Sequence, residues 1–249
     1  EHAENHTIVR QSVDTELSGN MIDICPVGAL TSKPFRYSAR TWELARRRSV
    51  SPHDSLGANL VVQVKGDRVM RVVPFEDEAI NECWISDRDR FSYEGLNSED
   101  RLAAPMIKGA DGKWQEASWA DALAAVAQGL SRVRDSFGAG QIGALASEYA
   151  TTEEYALLGR LVRALGSENI DFRLRQTDPA FDAALTGAPW LGMPIAELDN
   201  LDRVLVVGSF LRKDHPLMAQ RLRQAAKRGT QILMVDSAAD DPLMPVAGR

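Results

Sequence analysis

One cysteine lies in a sequence context that could bind iron. Cys25 is followed by Pro26 and then by Val27, Gly28 and Ala29. A cysteine thiolate can ligate iron, and a proline directly after the last cysteine is typical of [4Fe-4S] motifs, where it turns the chain away from the cluster. A lone cysteine is also among the residue types most often buried as a small apolar side chain. The dipeptide alone therefore leaves both a ligand and a space-filling role open.

Other residues capable of chemistry form no recognisable catalytic arrangement. His2 and His6 have the i, i+4 spacing of a metal-binding pair, but the sequence offers no third ligand nearby. The loop at 208–212 contains one glycine, whereas nucleotide-binding loops need several for close backbone approach to phosphate. Arg46–Arg48 could meet an acidic partner, although a solvated charge run is the simpler interpretation. We expect no catalytic acid, base or nucleophile in this chain.

Composition and charge exclude several classes of protein. Hydrophobic residues at 44% and charged residues at 26% are ordinary globular values, which excludes disordered and collagen-like chains. The net charge of −6 argues against nucleic-acid binding, which requires a basic surface. No apolar run approaches the ~18 residues of a membrane span, so direct membrane insertion is not expected. The 2 cysteines are too few for a disulfide framework and indicate a reducing compartment.

The sequence divides into three regions. Residues 1–45 are polar and irregular. Residues 46–102 are β-like, because β-branched runs at 60–64 and 69–73 flank a charged turn that is typical of an antiparallel hairpin. Residues 103–249 alternate helical and strand patterns. The chain starts without Met or a signal-peptide pattern, and we expect it to be part of a longer polypeptide.

The third region predicts an α/β domain. Apolar residues recur at helical spacing at about 152–165 and 216–228, and strand-like apolar runs occur at 141–146, 204–207 and 232–235. A strand, a helix and a second strand in succession form a right-handed parallel crossover. We therefore predict that the three strands share one mainly parallel sheet, with the helices on its faces.

A longer string around Cys25 resembles one protein family closely. Ser18–Pro34, with the sequence SGNMIDICPVGALTSKP, is similar to the G subunit of NADH-quinone oxidoreductase, the large iron–sulfur subunit of respiratory complex I. The resemblance implies that Cys25 is the last of four thiolates holding a [4Fe-4S] cluster, with the other three upstream of Glu1. It also implies that backbone N–H groups at 27–29 bond to cluster sulfides. The implied cofactor-binding residues are Cys25, Pro26, Val27, Gly28 and Ala29. No cluster is expected in this fragment alone.

The middle region departs from a second pattern of the same family. Relatives can carry a further cluster on a C-x2-C-x3-C-x27-C pattern, and the corresponding positions here are Ser51, Asp54, Ala58 and Ser86. None of these can supply a thiolate, so the resemblance implies that this second cluster is missing. We expect the four positions to converge, with side chains or hydrogen bonds filling the old cavity, because empty polar voids are costly. Cys83 is out of register and is interpreted as an incidental thiol.

The resemblance also gives an expected fold and domain organisation. The fold class is α/β, with a partial doubly wound parallel sheet like that of molybdopterin oxidoreductases, preceded by a small antiparallel β domain and the end of a ferredoxin-like domain. The expected domains are the ferredoxin-like remainder at 1–45, a β-rich domain that has lost its cluster at 46–102, and the start of the α/β domain at 103–249. Molybdenum is not expected.

The implied function is electron transfer. The chain is expected to act within an NADH:quinone oxidoreductase, passing electrons from NADH through iron–sulfur clusters toward quinone, with other peripheral-arm subunits of complex I as partners. The implied location is peripheral, on the cytoplasmic side of the bacterial inner membrane. A pterin-dependent oxidoreductase such as a formate dehydrogenase is the alternative, which the missing cluster cysteines and the string around Cys25 disfavour.

Overall fold

A computed structural model describes residues 13–174 and 178–249 of the chain. His2 and His6 lie outside the described residues. The chain divides into two compact units, one formed by the residues up to Ser98 together with Trp190–Arg249, the other by Glu99–Pro189. The three-part division at 45/46 and 102/103 stays a prediction.

The secondary-structure elements are numbered in chain order. The α-helices are α1 (Asn20–Ile24), α2 (Asp87–Phe91), α3 (Trp119–Phe137), α4 (Thr152–Ala164), α5 (Pro179–Ala184), α6 (Leu211–Asp214) and α7 (Pro216–Lys227). The strands are β1 (Ala45–Val50), β2 (Asn59–Lys65), β3 (Arg68–Pro74), β4 (Met106–Lys108), β5 (Trp114–Glu116), β6 (Ala144–Leu145), β7 (Ile170–Asp171), β8 (Arg203–Val207) and β9 (Gln231–Val235). Short 3-10 helices span Thr41–Glu43, Ser92–Asn97, Ala139–Gln141 and Ile195–Asn200.

The first unit contains an antiparallel sheet in the order β1-β2-β3. β2 and β3 form the predicted hairpin, which is confirmed, with Lys65 paired to Arg68 across the turn. β-branched side chains favour these strands because they pack well on a pleated surface. One face of the sheet packs into a small core with α2 and the residues around it, and the buried members are Leu60, Val72, Ile85 and Tyr93.

The same unit contains the parallel pair β8–β9, joined through α7. Pro216 occupies the first turn of α7, where its missing N–H costs nothing, and Gly229 follows the helix at a φ of 115° that favours glycine. Apolar side chains of both strands and the helix form the largest buried cluster, which includes Val206, Leu222, Ile232 and Met234. The predicted strand–helix–strand unit is confirmed.

The second unit contains the hairpin β4–β5, helix α3, and the parallel pair β6–β7 joined through α4. Ser118 caps α3 by accepting a hydrogen bond from the backbone of Asp121. Thr151 and Glu154 form a reciprocal capping box at the start of α4. Both helices therefore begin at side chains that satisfy free backbone N–H groups.

The prediction of a single sheet containing 141–146, 204–207 and 232–235 is wrong. The first strand covers only Ala144–Leu145 and pairs with Ile170–Asp171, while β8 pairs with β9 in a separate sheet. The physical reason is that each strand pairs with the next strand along the chain, which a single crossover helix brings alongside it. The α/β class itself and the antiparallel β module before it are confirmed. Within 13–174 and 178–249, no helix combines the length and apolar composition of a membrane span.

Candidate cluster-ligand site

Cys25 lies directly after α1, at the start of an exposed loop. It is the C-terminal cap of that helix with extended backbone angles, and Gly28 donates a backbone hydrogen bond to the Cys25 carbonyl at 3.4 Å. Gly28 has a φ of 64°, a left-handed conformation that glycine adopts without the penalty of a Cβ atom. The loop therefore folds back over Cys25 rather than continuing away from it.

The turned loop surrounds Cys25 with backbone amides. The backbone N–H groups of Leu30, Val27, Ala29 and Gly28 hold the pKa of the Cys25 thiol below its usual value. Hydrogen bonds to the charged form favour it, so the arrangement stabilises a thiolate, which is the form that ligates metal. The amides at 27–29 are those that the resemblance implies would bond to cluster sulfides. This donor chemistry fits one ligand position of an iron–sulfur cluster.

The surroundings of Cys25 are open and apolar. Cys25 is half-buried, while the side chains that flank it are exposed, with Val27 at 82% and Ile24 at 60%. Pro26 and Ala29 are exposed as well. Among the described residues, no group of three or more His, Cys, Asp or Glu side chains could hold a metal ion. The described part of the chain therefore offers this site a single ligand.

Cys83 has a different environment. It is exposed, and burial of the thiol group together with the charges of Glu82, Glu78 and Glu76 raises its pKa. Acidic neighbours disfavour a thiolate, which is the opposite of the effect at Cys25. These surroundings agree with the interpretation of Cys83 as an incidental thiol.

Helix α1, which carries Cys25 at its end, is fixed by Asn20. The Asn20 side chain is 4% exposed. It donates to the carbonyl of Ile85 at 2.8 Å and to that of Leu17 at 3.0 Å, and it accepts from the N–H of Ile85 at 3.1 Å. One buried amide therefore joins the helix before the ligand to the segment before α2.

Asp87 holds the residues that lead into α1. Its carboxylate accepts from the Ser18 hydroxyl at 2.6 Å and from the Gly19 N–H at 2.7 Å. Its own backbone N–H donates to the carbonyl of Glu16 at 2.8 Å. Hydrogen bonds to a charged acceptor are among the stronger ones in proteins, so Asp87 fixes this strip of backbone firmly.

Arg90 completes this attachment from the last turn of α2. The residue is 4% exposed, and its guanidinium donates to Asn20 at 3.1 Å and forms an ion pair with Asp23 at 2.5 Å. A Cβ atom added at Gly19 would lie 2.5 Å from Cδ of Arg90, so only glycine fits there. Sequence reasoning missed Asn20, Asp87 and Arg90; the alternating charges of 87–90 were the one available signal.

The four positions that replace the second set of cysteines converge, as predicted. The Ser51 N–H donates to the Ala58 carbonyl at 2.8 Å. The hydroxyls of Ser51 and Ser86 donate to the two carboxylate oxygens of Asp89, at 2.6 Å and 3.0 Å. Asp54 lies in the intervening loop, where it accepts from two backbone N–H groups, and its charge acts on Asp89.

Asp89 fills the centre of this group, which the sequence did not reveal. The residue is 2% exposed, and burial raises the pKa of its carboxyl group, an effect that the two serine hydroxyls partly offset. The positions that would hold a cluster in relatives with four cysteines are here occupied by a hydrogen-bonded polar network. These hydrogen bonds, together with the core formed by Leu60, Val72, Ile85 and Tyr93, hold this part of the chain in shape.

Comparison with protein families matches three parts of the chain. Residues 1–31 match the model of the NADH-quinone oxidoreductase subunit 3 ferredoxin-like domain. Residues 44–94 match that of the NADH-ubiquinone oxidoreductase NDSU1/NuoG-like 4Fe-4S domain. Residues 101–245 match the molybdopterin oxidoreductase model. An iron–sulfur domain of the NuoG type is therefore present.

The chain is also similar to curated proteins. It is 40% identical over 230 residues to the G subunit of the NADH-quinone oxidoreductase of Rickettsia felis, which covers 92% of this chain and 33% of the relative. It is 40% identical over 235 residues to the mitochondrial NADH dehydrogenase [ubiquinone] iron-sulfur protein 1 of Solanum tuberosum, covering 94% of this chain and 31% of the relative. The chain spans about a third of the length of these relatives. The resemblance to the large iron–sulfur subunit is confirmed.

Among solved structures, acetylene hydratase from Pelobacter acetylenicus superimposes with a TM-score of 0.54 over 79% of this chain and 28% of that one, at 17% identity. At that identity the likeness concerns the fold alone. The molybdopterin oxidoreductase model, by contrast, is a match of sequence, and it covers residues 101–245, more than half of the chain. The chain belongs to the molybdopterin oxidoreductase family.

Proposed function

We propose that this chain is part of the electron-transfer subunit of an NADH:quinone oxidoreductase and that Cys25 is one of four thiolate ligands of a [4Fe-4S] cluster. The observation that carries the proposal is the turned loop at 25–30, in which Gly28 donates to the Cys25 carbonyl and the backbone N–H groups of 27–30 lower the pKa of the Cys25 thiol. The names of the relatives, one an NADH-quinone oxidoreductase subunit and the other an iron-sulfur protein, support the same assignment. The other three ligands would come from residues upstream of Glu1.

The residues of the loop have distinct roles in this proposal. When bound, the cluster supplies one-electron transfer, which needs no acid, base or nucleophile from the protein. Pro26 turns the backbone away from the ligand, and Gly28 allows the loop to return toward the sulfur. The exposed side chains of Ile24 and Val27 would exclude water from the cluster once the remaining ligands cover them.

Partners and location follow from the same assignment. The chain would contact other peripheral-arm subunits of complex I, on the cytoplasmic side of the bacterial inner membrane. The α/β part would serve as scaffold without molybdenum, because the loop at 208–212 lacks the glycines of a nucleotide-binding loop. The pterin-dependent alternative finds less support, since the second cluster site is replaced by the network around Asp89.

The decisive experiment is Cys25→Ser in the complete subunit within its assembled complex. We expect one [4Fe-4S] signal to disappear from the electron paramagnetic resonance spectrum of the reduced complex, and NADH-to-quinone electron flow to slow or stop. Cys83→Ser is the matched control and should leave every signal in place. Retention of all cluster signals and full electron flow in the Cys25 variant would remove the ligand assignment.

A further inference from the structure

An ion pair involves Asp23, which lies two residues before the proposed ligand Cys25. Asp23, in the last turn of α1, is paired with the buried guanidinium of Arg90. We infer that the Asp23–Arg90 pair is a positioning and tuning device that holds Cys25 in place and sets the reduction potential of the cluster it ligates. The inference rests on the proposed function, since it needs a cluster at Cys25.

The positive charge of Arg90 is fixed in place. Its side chain is 5% exposed, and the guanidinium is directed at Asn20 and Asp23 together. Gly19 covers its stem closely, since a Cβ atom there would also lie 2.7 Å from Nε. Nε has no hydrogen-bond partner within the part of the chain that the structure describes. The side chain is therefore confined by packing, and its charge cannot move away from α1.

Burial makes this charge effective beyond its own partner. Solvent screens exposed charges strongly, whereas buried charges act through a medium of lower dielectric constant. Arg71 and Arg46 add positive charge nearby, because the charges of Asp23, Arg46 and Arg90 all act on Arg71.

The two members of the pair have opposite effects on a cluster. A cluster becomes more negative when it takes up an electron, so a nearby positive charge favours the reduced form and a negative charge disfavours it. Removing the charge of Arg90 should lower the reduction potential, and removing that of Asp23 should raise it. A role limited to supporting the fold would move both variants in the same direction or reduce cluster content in both.

The test is a redox titration of the complete subunit in its assembled complex, followed by electron paramagnetic resonance and by iron content. Arg90→Gln should shift the midpoint potential of the cluster lost in Cys25→Ser to more negative values, and Asp23→Asn should shift it to more positive ones. We expect a severalfold change in the ratio of reduced to oxidised cluster at fixed ambient potential, where tenfold corresponds to about 59 mV.

Two further variants separate charge from structure. Arg90→Lys keeps the charge with fewer donors and should leave the potential near that of the unmodified protein. The double variant Asp23→Asn with Arg90→Gln removes two opposite charges that sum to zero. Its reduction potential should therefore also lie near that of the unmodified protein. Arg163→Gln is the matched control, because it breaks an exposed ion pair with Glu168, and its side chain is 61% exposed.

The outcomes distinguish this inference from the function on which it rests. If Cys25→Ser removes a cluster signal but Arg90→Gln and Asp23→Asn shift its potential in the same direction, or not at all, the inference is wrong and the proposed function stands. If Cys25→Ser leaves every signal, the proposed function itself fails. Should Arg90→Gln not assemble, Asp23→Asn and Arg90→Lys still decide the matter, because a potential that is unchanged in the first or displaced in the second contradicts the inference.

Discussion

The side chain of Asn20 forms two hydrogen bonds with the backbone of Ile85, as the backbone of a neighbouring β-strand would. It accepts from the Ile85 N–H at 3.1 Å and donates to the Ile85 carbonyl at 2.8 Å. Ile85 is fully buried, so these two backbone groups have no access to water. The pairing joins the segment that carries Cys25 to the module that contains Ser51, Asp54, Ala58 and Ser86. That module therefore has a structural role in supporting Cys25.

Replacing Asn20 tests the strength of this connection. Asn20→Ala leaves the buried N–H and carbonyl of Ile85 without partners, and each such group costs roughly 1–3 kcal/mol. We expect the free energy of unfolding to fall by about 3 kcal/mol in urea denaturation. Asn97→Ala is the control, because its hydrogen bond to the Val69 carbonyl is exposed and should contribute less than about 1 kcal/mol. Equal losses in the two variants would contradict the role given to Asn20.

Two glycines should respond in opposite ways to alanine. Gly19→Ala places a methyl group 2.5 Å from Cδ of the confined Arg90 side chain. Overpacking of this kind should cost about 1–3 kcal/mol of unfolding free energy. Gly129 lies inside α3 with no atom within 4 Å of an added Cβ. Gly129→Ala should therefore stabilise the chain by about 0.4–1 kcal/mol. Thermal and urea unfolding of both variants measures this, and destabilisation of equal size in both would refute it.

The sequence predicted those elements whose signals are local. The hairpin of β2 and β3 and the strand–helix–strand unit of β8, α7 and β9 depend on residues that lie close together in the chain. Sheet partnership depends on distant segments, which is why the expected common sheet was wrong. An amphipathic pattern likewise does not indicate what a helix packs against, and Leu123 on α3 is 62% exposed.

The sequence predicted the chemistry of the candidate site but not the buried residues that hold the surrounding structure in place. The Cys25 motif predicts a thiolate ligand because the residue types are adjacent in the sequence. Asp89, Arg90 and Arg221 are charged, and charged residues are almost never fully buried unless they are paired. Their partners lie up to 143 residues away along the chain, so no local pattern identifies these partners.

Arg221 provides a test of such a buried cation. It is 5% exposed and donates to Asp199 at 2.7 Å and to the carbonyls of Glu78 and Ile80 at 2.8 and 3.1 Å. Arg221→Met keeps the apolar stem but leaves these acceptors without their donor, which should cost about 3–5 kcal/mol in urea unfolding. Arg228→Met is a matched control, because Arg228 contacts the same Asp199 while being 58% exposed. Its loss should be below about 1 kcal/mol, and a loss as large as that of Arg221→Met would contradict the argument.

Asp89 should make the stability of the chain depend on pH. Burial raises the pKa of its carboxyl group above the ordinary value of 3.8, so the folded protein favours the protonated form. The stabilisation from proton uptake is fully present below the pKa of the unfolded chain and is lost as the pH rises through the higher folded value. Asp89→Asn remains neutral and can still hydrogen bond to the serine hydroxyls. In urea unfolding from pH 4 upward, we expect the free energy of unfolding of Asp89→Asn to increase relative to that of the unmodified chain as the pH rises.

Asp67→Asn, at the exposed hairpin turn, removes a carboxylate without burial and serves as the control. A difference between Asp89→Asn and the unmodified chain that stayed constant over this range would show that the carboxyl group of Asp89 titrates alike in the folded and unfolded protein.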